Sequence, residues 1–398
     1  MTETTDILIS GGGIAGLIAA ASFGAAGFST LVVDPAPPVA SDADPAADLR
    51  STAFLQPSVR LLEEIGLWER LAPHAMPLQV MRIVDAGGPE PEPRAIRDFD
   101  AAEILDQPFG WNLPNWLLRR EIAAHLGTMT GTRFRAGCGV AGLLARETEA
   151  RVRLSDGTSV SARLLVAADG RDSPVRGALG IEAHTRRYGQ KALVFAVTHP
   201  IPHGNVSTEI HRSGGPFTLV PLPDRDGLPC SAVVWMETGP EAQRLAALPV
   251  PEFEAELAAR SCNLLGPLTL VTRRPVWPII ARHAERLTGP RSALVAEAAH
   301  VVPPIGAQGL NMSLADIRTL RDLAVADRDG LGGPAMLAAY ERARAPEIRA
   351  RLAGIDLLNR ASMLAPQPLR DLRAAGLTAI HGLAPIRRLA MKAGLGIG

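Results

Sequence analysis

Continuous apolar runs separated by glycine turns set the pattern of the first residues. Ile7-Leu8-Ile9 is apolar without alternation, the mark of a strand covered on both faces. Residues 17–26 follow as a helix of small apolar side chains, and Thr30-Leu31-Val32-Val33 is a second strand ending on Asp34. Residues 35–48, rich in Pro, Ala and Asp, read as a flexible loop. Val59, Leu62, Ile65 and Trp68 repeat at helical spacing and predict a helix over 56–71. Further on, 81–85 reads as a strand, 87–93 as a turn-rich break, 109–115 as an extended loop and 116–129 as a helix. Strands at 150–154 and 159–166 flank an Asp156-Gly157 turn, and Leu164-Leu-Val-Ala-Ala168 delivers Asp169.

From 181 to 275 the period changes to two. Leu193, Phe195 and Val197 alternate, then Phe217, Leu219 and Pro221, then Ala232 and Val234. That predicts a mostly antiparallel sheet, with a helix at 252–262 packed on it. Residues 292–296 return to a buried-type strand ending on Glu297. A helix is predicted from 309 to 326, a break at 330–334, and arginine-rich helices at 335–345 and 347–359.

Between the first strand and the first helix lies Gly11-Gly-Gly13-Ile14-Ala15-Gly16, a GxGxxG turn. Its physics suits an adenine dinucleotide. Gly11 permits the tight turn, Gly13 lets a pyrophosphate approach the backbone, and Gly16 lets helix and strand pack closely. The helix start aims unpaired N–H groups and the positive dipole end at phosphate. Asp34, 18 residues after Gly16, is placed to accept from a ribose hydroxyl. Gly137-Cys-Gly-Val-Ala-Gly142 fits the same pattern, but strands rather than a helix follow it, so it reads as punctuation.

Composition narrows the classes. In 398 residues, Lys+Arg and Asp+Glu balance at 41 each and no basic cluster stands out, which argues against a nucleic-acid partner. Cys138, Cys230 and Cys262 are far apart and form no Cys-x-x-Cys pair, so buried thiols in a reducing cytoplasm are expected rather than a zinc site. No apolar run approaches the ~18 residues of a membrane span.

Three strand ends carry an acid, Asp34, Asp169 and Glu297, where open α/β sheets bind ligands. In order, the GxGxxG turn, Asp169-Gly-Arg-Asp-Ser-Pro-Val-Arg176, and Ala296-Glu-Ala-Ala-His-Val-Val-Pro-Pro-Ile-Gly-Ala-Gln-Gly-Leu-Asn311 resemble the motifs of the FAD-dependent aromatic hydroxylases of the para-hydroxybenzoate hydroxylase type. Within them the chain is most similar to the ubiquinone-biosynthesis hydroxylases, a likeness shared by Ile355–Arg360 and residues 369–377. Two departures stand out. Ala296-Glu297 replaces the usual Gly-Asp, and Gly306-Ala307 precedes Gln308, displacing the first glycine of Gly-Gln-Gly.

The resemblance implies an α/β fold: a Rossmann-like FAD-binding domain (1–80, 106–180, 276–330), a mostly antiparallel β-sheet substrate domain (81–105, 181–275) and a C-terminal helical segment (331–398). It implies FAD held by Gly11, Gly13, Ile14, Ala15 and Gly16, by Asp34 at the ribose, and by Arg50 and Arg119 at the phosphate and ribityl regions. Asp169 and Glu297 are further acceptors, and Pro304, Gly306, Gln308, Gly309, Leu310 and Asn311 run beneath the flavin. NAD(P)H is then a transient co-substrate, since only one GxGxxG has the right context. The implied reaction hydroxylates a polyprenylated phenol of ubiquinone biosynthesis with O2 through a flavin hydroperoxide. Phe217, Leu219 and Pro221 are expected as an apolar roof, with His300 a weak acid/base candidate beside its simpler reading as a packed histidine. A lipophilic aromatic substrate, a ubiquinone-biosynthesis complex and a cytoplasmic location with at most peripheral contact at the inner face of a membrane complete the expectation. Hydroxylation of a soluble aromatic or polyketide, and a non-catalytic flavoprotein scaffold, stand as alternatives.

Overall fold

A computed structural model describes residues 2–88, 90–212, 214–363 and 366–395, with the side chain of Arg373 not described. The first sheet has a parallel core in the spatial order Ser292–Leu294, Ser159–Ala167, Thr2–Ser10, Thr30–Asp34, Thr132–Ala136. Thr2–Ser10 is central, and Ile7, Leu8 and Ile9 are fully buried, as their unbroken apolar run requires. Helix Ile14–Ala25 lies on this sheet. Its Ala19, Ala20 and Ala21 are fully buried, small enough for helix Gln308–Ala326 and helix Asn115–Leu126 to pack closely against it. Two antiparallel strands, Val140–Ala145 and Ala150–Leu154, extend the sheet, so Gly137–Gly142 does punctuate strands.

The second sheet is mostly antiparallel, with Ala183–Thr198, Leu228–Thr238 and Pro216–Arg225 at its centre. One face is covered by helices Gly239–Ala247 and Val250–Arg260. There Leu193, Phe195, Val197, Phe217, Leu219, Val233 and Trp235 form a core with Leu245, Phe253 and Leu257. The opposite face carries Ala192, Val194, Met236, Ile279 and Trp277. The Arg50 guanidinium lies on this side, 4.7 Å from the Trp277 ring centroid, and Asn112 Nδ2, from a separate three-stranded sheet, donates to Pro221 O at 2.9 Å.

Several elements differ from expectation for identifiable reasons. The helix predicted over 56–71 ends at Glu64, because Gly66 takes φ 68°, and restarts as Trp68–Leu71. The two helices predicted on either side of Pro346 are one, Pro334–Ser362. Tyr340, Arg344, Ile348, Ile355 and Asn359 share one buried face along it, and that packing carries the helix through the proline. The extended loop at 109–115 is strand Gly110–Pro114, paired with Ser51–Leu55 and Met76–Leu78. Strand Ala95–Asp100 was not expected; it pairs with Val80–Asp85 at the edge of the second sheet. The loop 35–48 is tied down rather than free: Arg225 pairs with Asp42, and Arg273 donates to the carbonyls of Asp44 and Ala47. Cys138 and Cys230 are buried free thiols, whereas Cys262 is only half-buried.

Candidate functional site

The glycine turn sits where the first strand meets its helix. Gly11 has φ 104°, and a Cβ there would collide with the Ala168 carbonyl of the neighbouring strand. A Cβ on Gly16 would collide with Gly11 O. These two glycines are therefore demanded by the protein's own backbone. Gly13 is different. It is the N-cap of helix Ile14–Ala25, makes no side-chain cap, and a Cβ there would meet no atom within 4 Å. The N–H groups opened by Ile14 and Ala15 face that space without a protein acceptor from a capping side chain.

Asp34 braces this turn. Its Oδ2 accepts the Gly12 N–H at 2.6 Å, and its Oδ1 accepts the Ala36 N–H at 2.8 Å and Arg119 Nη2 at 3.0 Å. One acceptor position remains on Oδ2. Arg119 is no surface arginine: Nε reaches Gly12 O at 2.7 Å, Nη1 reaches Pro37 O, and Nη2 also reaches Ala36 O. It clamps the glycine turn to the loop after the second strand.

Asp169 follows the next parallel strand, beside Gly11. Oδ2 accepts from Ser10 Oγ at 3.1 Å and from the Val175 N–H at 3.2 Å. Oδ1 is buried and has no hydrogen-bond donor among the described residues. Burial pushes this carboxyl above the ordinary range, outweighing the hydrogen bonds it accepts. Ser173 caps the short helix Pro174–Ala178, and the buried Arg176 ties the segment to the last motif by donating to Ala298 O at 2.9 Å.

Glu297 lies on the turn Ala296–Ala298, its side chain 41% exposed between two guanidiniums. Arg50 Nη1 is 3.9 Å from Oε1, and Arg171 Nε is 3.7 Å from Oε2. Both arginines also stand over Trp277, Arg171 at 6.0 Å. Arg50 is held from behind by Asp48, which accepts Nε at 2.9 Å and Nη2 at 2.7 Å. Burial pushes the Asp48 carboxyl up, but Arg50 and Asn115 outweigh it and hold it below its usual range. Ala296 takes φ 56° and Ala307 φ 55°, both left-handed. These are the places where the resembling motif is altered around its glycines.

The segment from Pro304 to Asn311 turns into helix Gln308–Ala326. Pro304, Gly306 and Gly309 are exposed, Leu310 is half-buried, and the N-cap Ala307 offers no side-chain cap. The two polar side chains here are already committed. Asn311 accepts from Leu55 N and Ser58 Oγ and donates to Ala53 O and Ala307 O, stapling the helix to strand Ser51–Leu55. Gln308 donates to Gly306 O and Gly394 O and accepts from Arg351. Only backbone N–H groups of this helix start are left for a ligand. His300 is 2% exposed, and its Nε2 is 2.6 Å from Oδ2 of the fully buried Asp316. Arg344 Nε meets the other oxygen at 2.8 Å. His300 thus belongs to a buried ion cluster that joins the Ala296 turn to two helices, and the acid/base reading is corrected to that one.

The expected roof also moves. Phe217 and Leu219 face the covering helices, Phe217 stacking edge-on against Trp235, so they are core. The face turned to the site is one residue out of phase, with Val194, Met236 and Trp277. Pro221 is tied to strand Gly110–Pro114 by its carbonyl, which accepts from Asn112. Sequence reasoning missed Arg171, Trp277, Asp48 and Asp316. Arg171 lay inside a quoted motif; the other three carry no local signal.

The family description FAD binding domain matches residues 4–353. The ubiquinone hydroxylase UbiL of Rhodospirillum rubrum is 35% identical over 397 residues, 99% of this chain and 90% of that protein. The 3-demethoxyubiquinol 3-hydroxylase of Escherichia coli is 28% identical over 398 residues, 99% of each chain. Among solved structures, p-nitrophenol 4-monooxygenase PnpA of Pseudomonas putida superposes with a TM-score of 0.81 at 20% identity, covering 99% of each chain, a likeness of fold. With three motif acids at strand ends of this fold and the full-length match to ubiquinone hydroxylases, the chain belongs to the FAD-dependent aromatic-ring monooxygenases of the FAD binding domain family.

Proposed function

We propose that the protein hydroxylates the aromatic ring of a polyprenylated phenol in ubiquinone biosynthesis, with FAD, NAD(P)H and O2. The observation that carries the reading is two helix starts without side-chain caps together with two carboxylates that each keep an open acceptor oxygen among the described residues. The helix starts are Gly13 and Ala307; the carboxylates are Asp169, with a buried partnerless oxygen, and Glu297, reached only by guanidiniums beyond hydrogen-bond distance. FAD fits that set. Gly13 and the N–H groups of Ile14 and Ala15 would hold the pyrophosphate, and the free position on Asp34 would take a ribose hydroxyl. Asp169 and Glu297 would accept from hydroxyls further along the cofactor, with Arg50 and Arg171 balancing charge. The N–H groups of Gly309 and Leu310 would face the ring system, where a helix start favours negative charge.

The chemistry FAD supplies when bound is acceptance of a hydride from NAD(P)H and insertion of one oxygen atom of O2 into the ring, the other leaving as water. The chain's own part is placement and exclusion of water. Val194, Met236 and Trp277 would wall the ring in, and the Asn112–Pro221 bond would help seat the second sheet against it. The substrate reading is supported by the two relatives, a ubiquinone hydroxylase and a 3-demethoxyubiquinol 3-hydroxylase. Membership of a ubiquinone-biosynthesis complex is part of the same proposal.

The test is the purified protein's visible spectrum, then NAD(P)H oxidation with and without a detergent-dispersed polyprenylphenol, with the product analysed by mass. A yellow protein that consumes NAD(P)H faster with the phenol and yields a product one oxygen atom heavier is expected. Turnover of a soluble phenolic acid but not the prenylated one would replace the substrate class. A flavin that no phenol affects would leave a scaffold.

A further inference from the structure

Strand Val206–His211 carries a histidine–carboxylate pair that the cofactor site does not use. Glu209 Oε1 lies 2.7 Å from His211 Nε2, with the two side chains 14% and 13% exposed. Among the described residues His211 is the only salt-bridge partner of Glu209, and His211 Nδ1 is buried without any hydrogen-bond partner. Sheet register decides where the pair points. Paired residues on adjacent strands share a face, and faces alternate along each strand. Ile210 pairs with Val84 and Phe217, and Phe217 with Trp235, all of them in the core under the covering helices. Glu209 and His211 flank Ile210 and so turn to the opposite face. Glu209 pairs with Thr218, Thr218 with Val234 and Val234 with Val194, in the cluster that holds Met236 and Trp277. Adjacent strands lie about 4.8 Å apart, so Glu209 stands two strands, about 10 Å, from Val234. On its other side Glu209 pairs with Ile83, which packs against the cluster of Leu55 and Phe109. The Leu55 N–H is held by Asn311, at the helix start proposed to face the ring system. The pair therefore lies between the two walls of the proposed site.

We propose that Glu209 and His211 select the substrate: the pair receives the hydroxyl of a phenol ring that bears no carboxylate and turns away an aromatic carboxylic acid. The inference rests on the proposed ring hydroxylation and narrows its substrate class. Glu209 accepts the Nε2–H of His211, which leaves the imidazole lone pair on Nδ1, the atom without a partner. A phenol O–H supplies the missing donor. A ring carboxylate would instead bring a second negative charge beside Glu209. The cations at this edge of the sheet are already committed. Arg94 is held by Asp85 and Asp371, and Arg97 donates to the Ile96 carbonyl and to Thr378 Oγ1. Repulsion of the wrong ring, as well as a hydrogen bond to the right one, then sets the preference.

The experiment titrates the full-length FAD-loaded protein and reads ligand binding from the perturbation of flavin absorbance, so that no turnover is needed. The probes are a detergent-dispersed prenylated phenol, its methyl ether and its ring-carboxylated counterpart, each against wild type, Glu209→Gln and His211→Phe. Wild type should bind the phenol at least about tenfold more tightly than either of the other two, because a site built around a ring hydroxyl rejects the ring that lacks or opposes it. His211→Phe should erase the preference for phenol over methyl ether. Glu209→Gln should narrow the preference over the carboxylated ring at least about fivefold, since the repelling charge is gone. A merely structural role would weaken all three probes together and leave these ratios in place. Equal wild-type affinity for the three probes would overturn the proposal, as would either variant with unchanged ratios; the wild-type comparison stands even where a variant fails to fold. If the prenylated phenol is hydroxylated while the ratios stay flat, the selecting pair falls and the proposed function stands. If the ratios behave as expected but no phenol is hydroxylated, the pair stands as a phenol-binding site and the proposed function falls.

Discussion

Replacing Asp316 with Asn should be among the most damaging single changes outside the glycine turn. The carboxylate is fully buried and receives His300 at 2.6 Å and Arg344 at 2.8 Å, with the Ala296 N–H at 3.4 Å. Asn keeps the shape but removes the charge and turns one acceptor oxygen into an NH2 donor, so His300 and Arg344 must share one neutral acceptor; the other partners of the Arg344 guanidinium, whose side chain is 4% exposed, are Glu347 and the Met312 carbonyl. Breaking one side of a buried pair costs about 3–5 kcal/mol, a large part of a total stability of about 5–15 kcal/mol. Replacing both members, Asp316→Leu with Arg344→Met, should cost far less than the sum of the single changes, with coupling of about 2–3 kcal/mol. The pH dependence has a definite sign. Burial raises the Asp316 carboxyl, but His300 and Arg344 outweigh it and hold the group below its ordinary 3.8. The stability it contributes is complete above that unfolded value and is lost as pH falls through the folded one. The penalty of Asp316→Asn should therefore be full at neutral pH and shrink below about pH 4. Urea unfolding of the apoprotein, followed by tryptophan fluorescence from pH 7 to 3, measures both effects. A neutral-pH cost under about 1 kcal/mol, or additive single changes, would refute the idea that this cluster holds the Ala296 turn.

Other outcomes follow from the same geometry. Gly13→Ala should fold as wild type but lose FAD affinity at least tenfold by fluorescence titration, because only a ligand fills the space its Cβ would take; Gly16→Ala should damage folding itself. Ala296→Gly and Ala307→Gly should each stabilise the apoprotein by about 0.5–1 kcal/mol in urea: relief of a left-handed alanine, about 1–2 kcal/mol, exceeds the extra entropy glycine loses on folding. Destabilisation by either would contradict the left-handed assignment. Glu297→Ala should weaken FAD binding, and unchanged flavin occupancy after dialysis would remove Glu297 from the cofactor's partners.

Much of this protein is written locally. The unbroken run Ile7–Ile9, the glycines and Asp34 determine a strand, a turn and a brace within thirty residues, because burial on both faces and backbone clearance are properties of neighbouring positions. Period-two alternation at 193–197 and 217–221 determined a half-covered sheet. It did not determine which face meets the site. Phe217 and Leu219 have the same alternation whether helices or a ligand lie above them, and only the position of helices Gly239–Ala247 and Val250–Arg260 makes them core. The same holds for charge. Arg119 and Arg50 read alike in sequence, yet one is spent on the glycine turn and the other stands between Asp48, Glu297 and Trp277. His300, Asp316 and Arg344 lie apart in the chain and meet in a buried cluster. Sequence spacing encodes what a backbone does with its own neighbours. Which charges lose their water, and to whom they turn for compensation, is decided only when distant elements close over them.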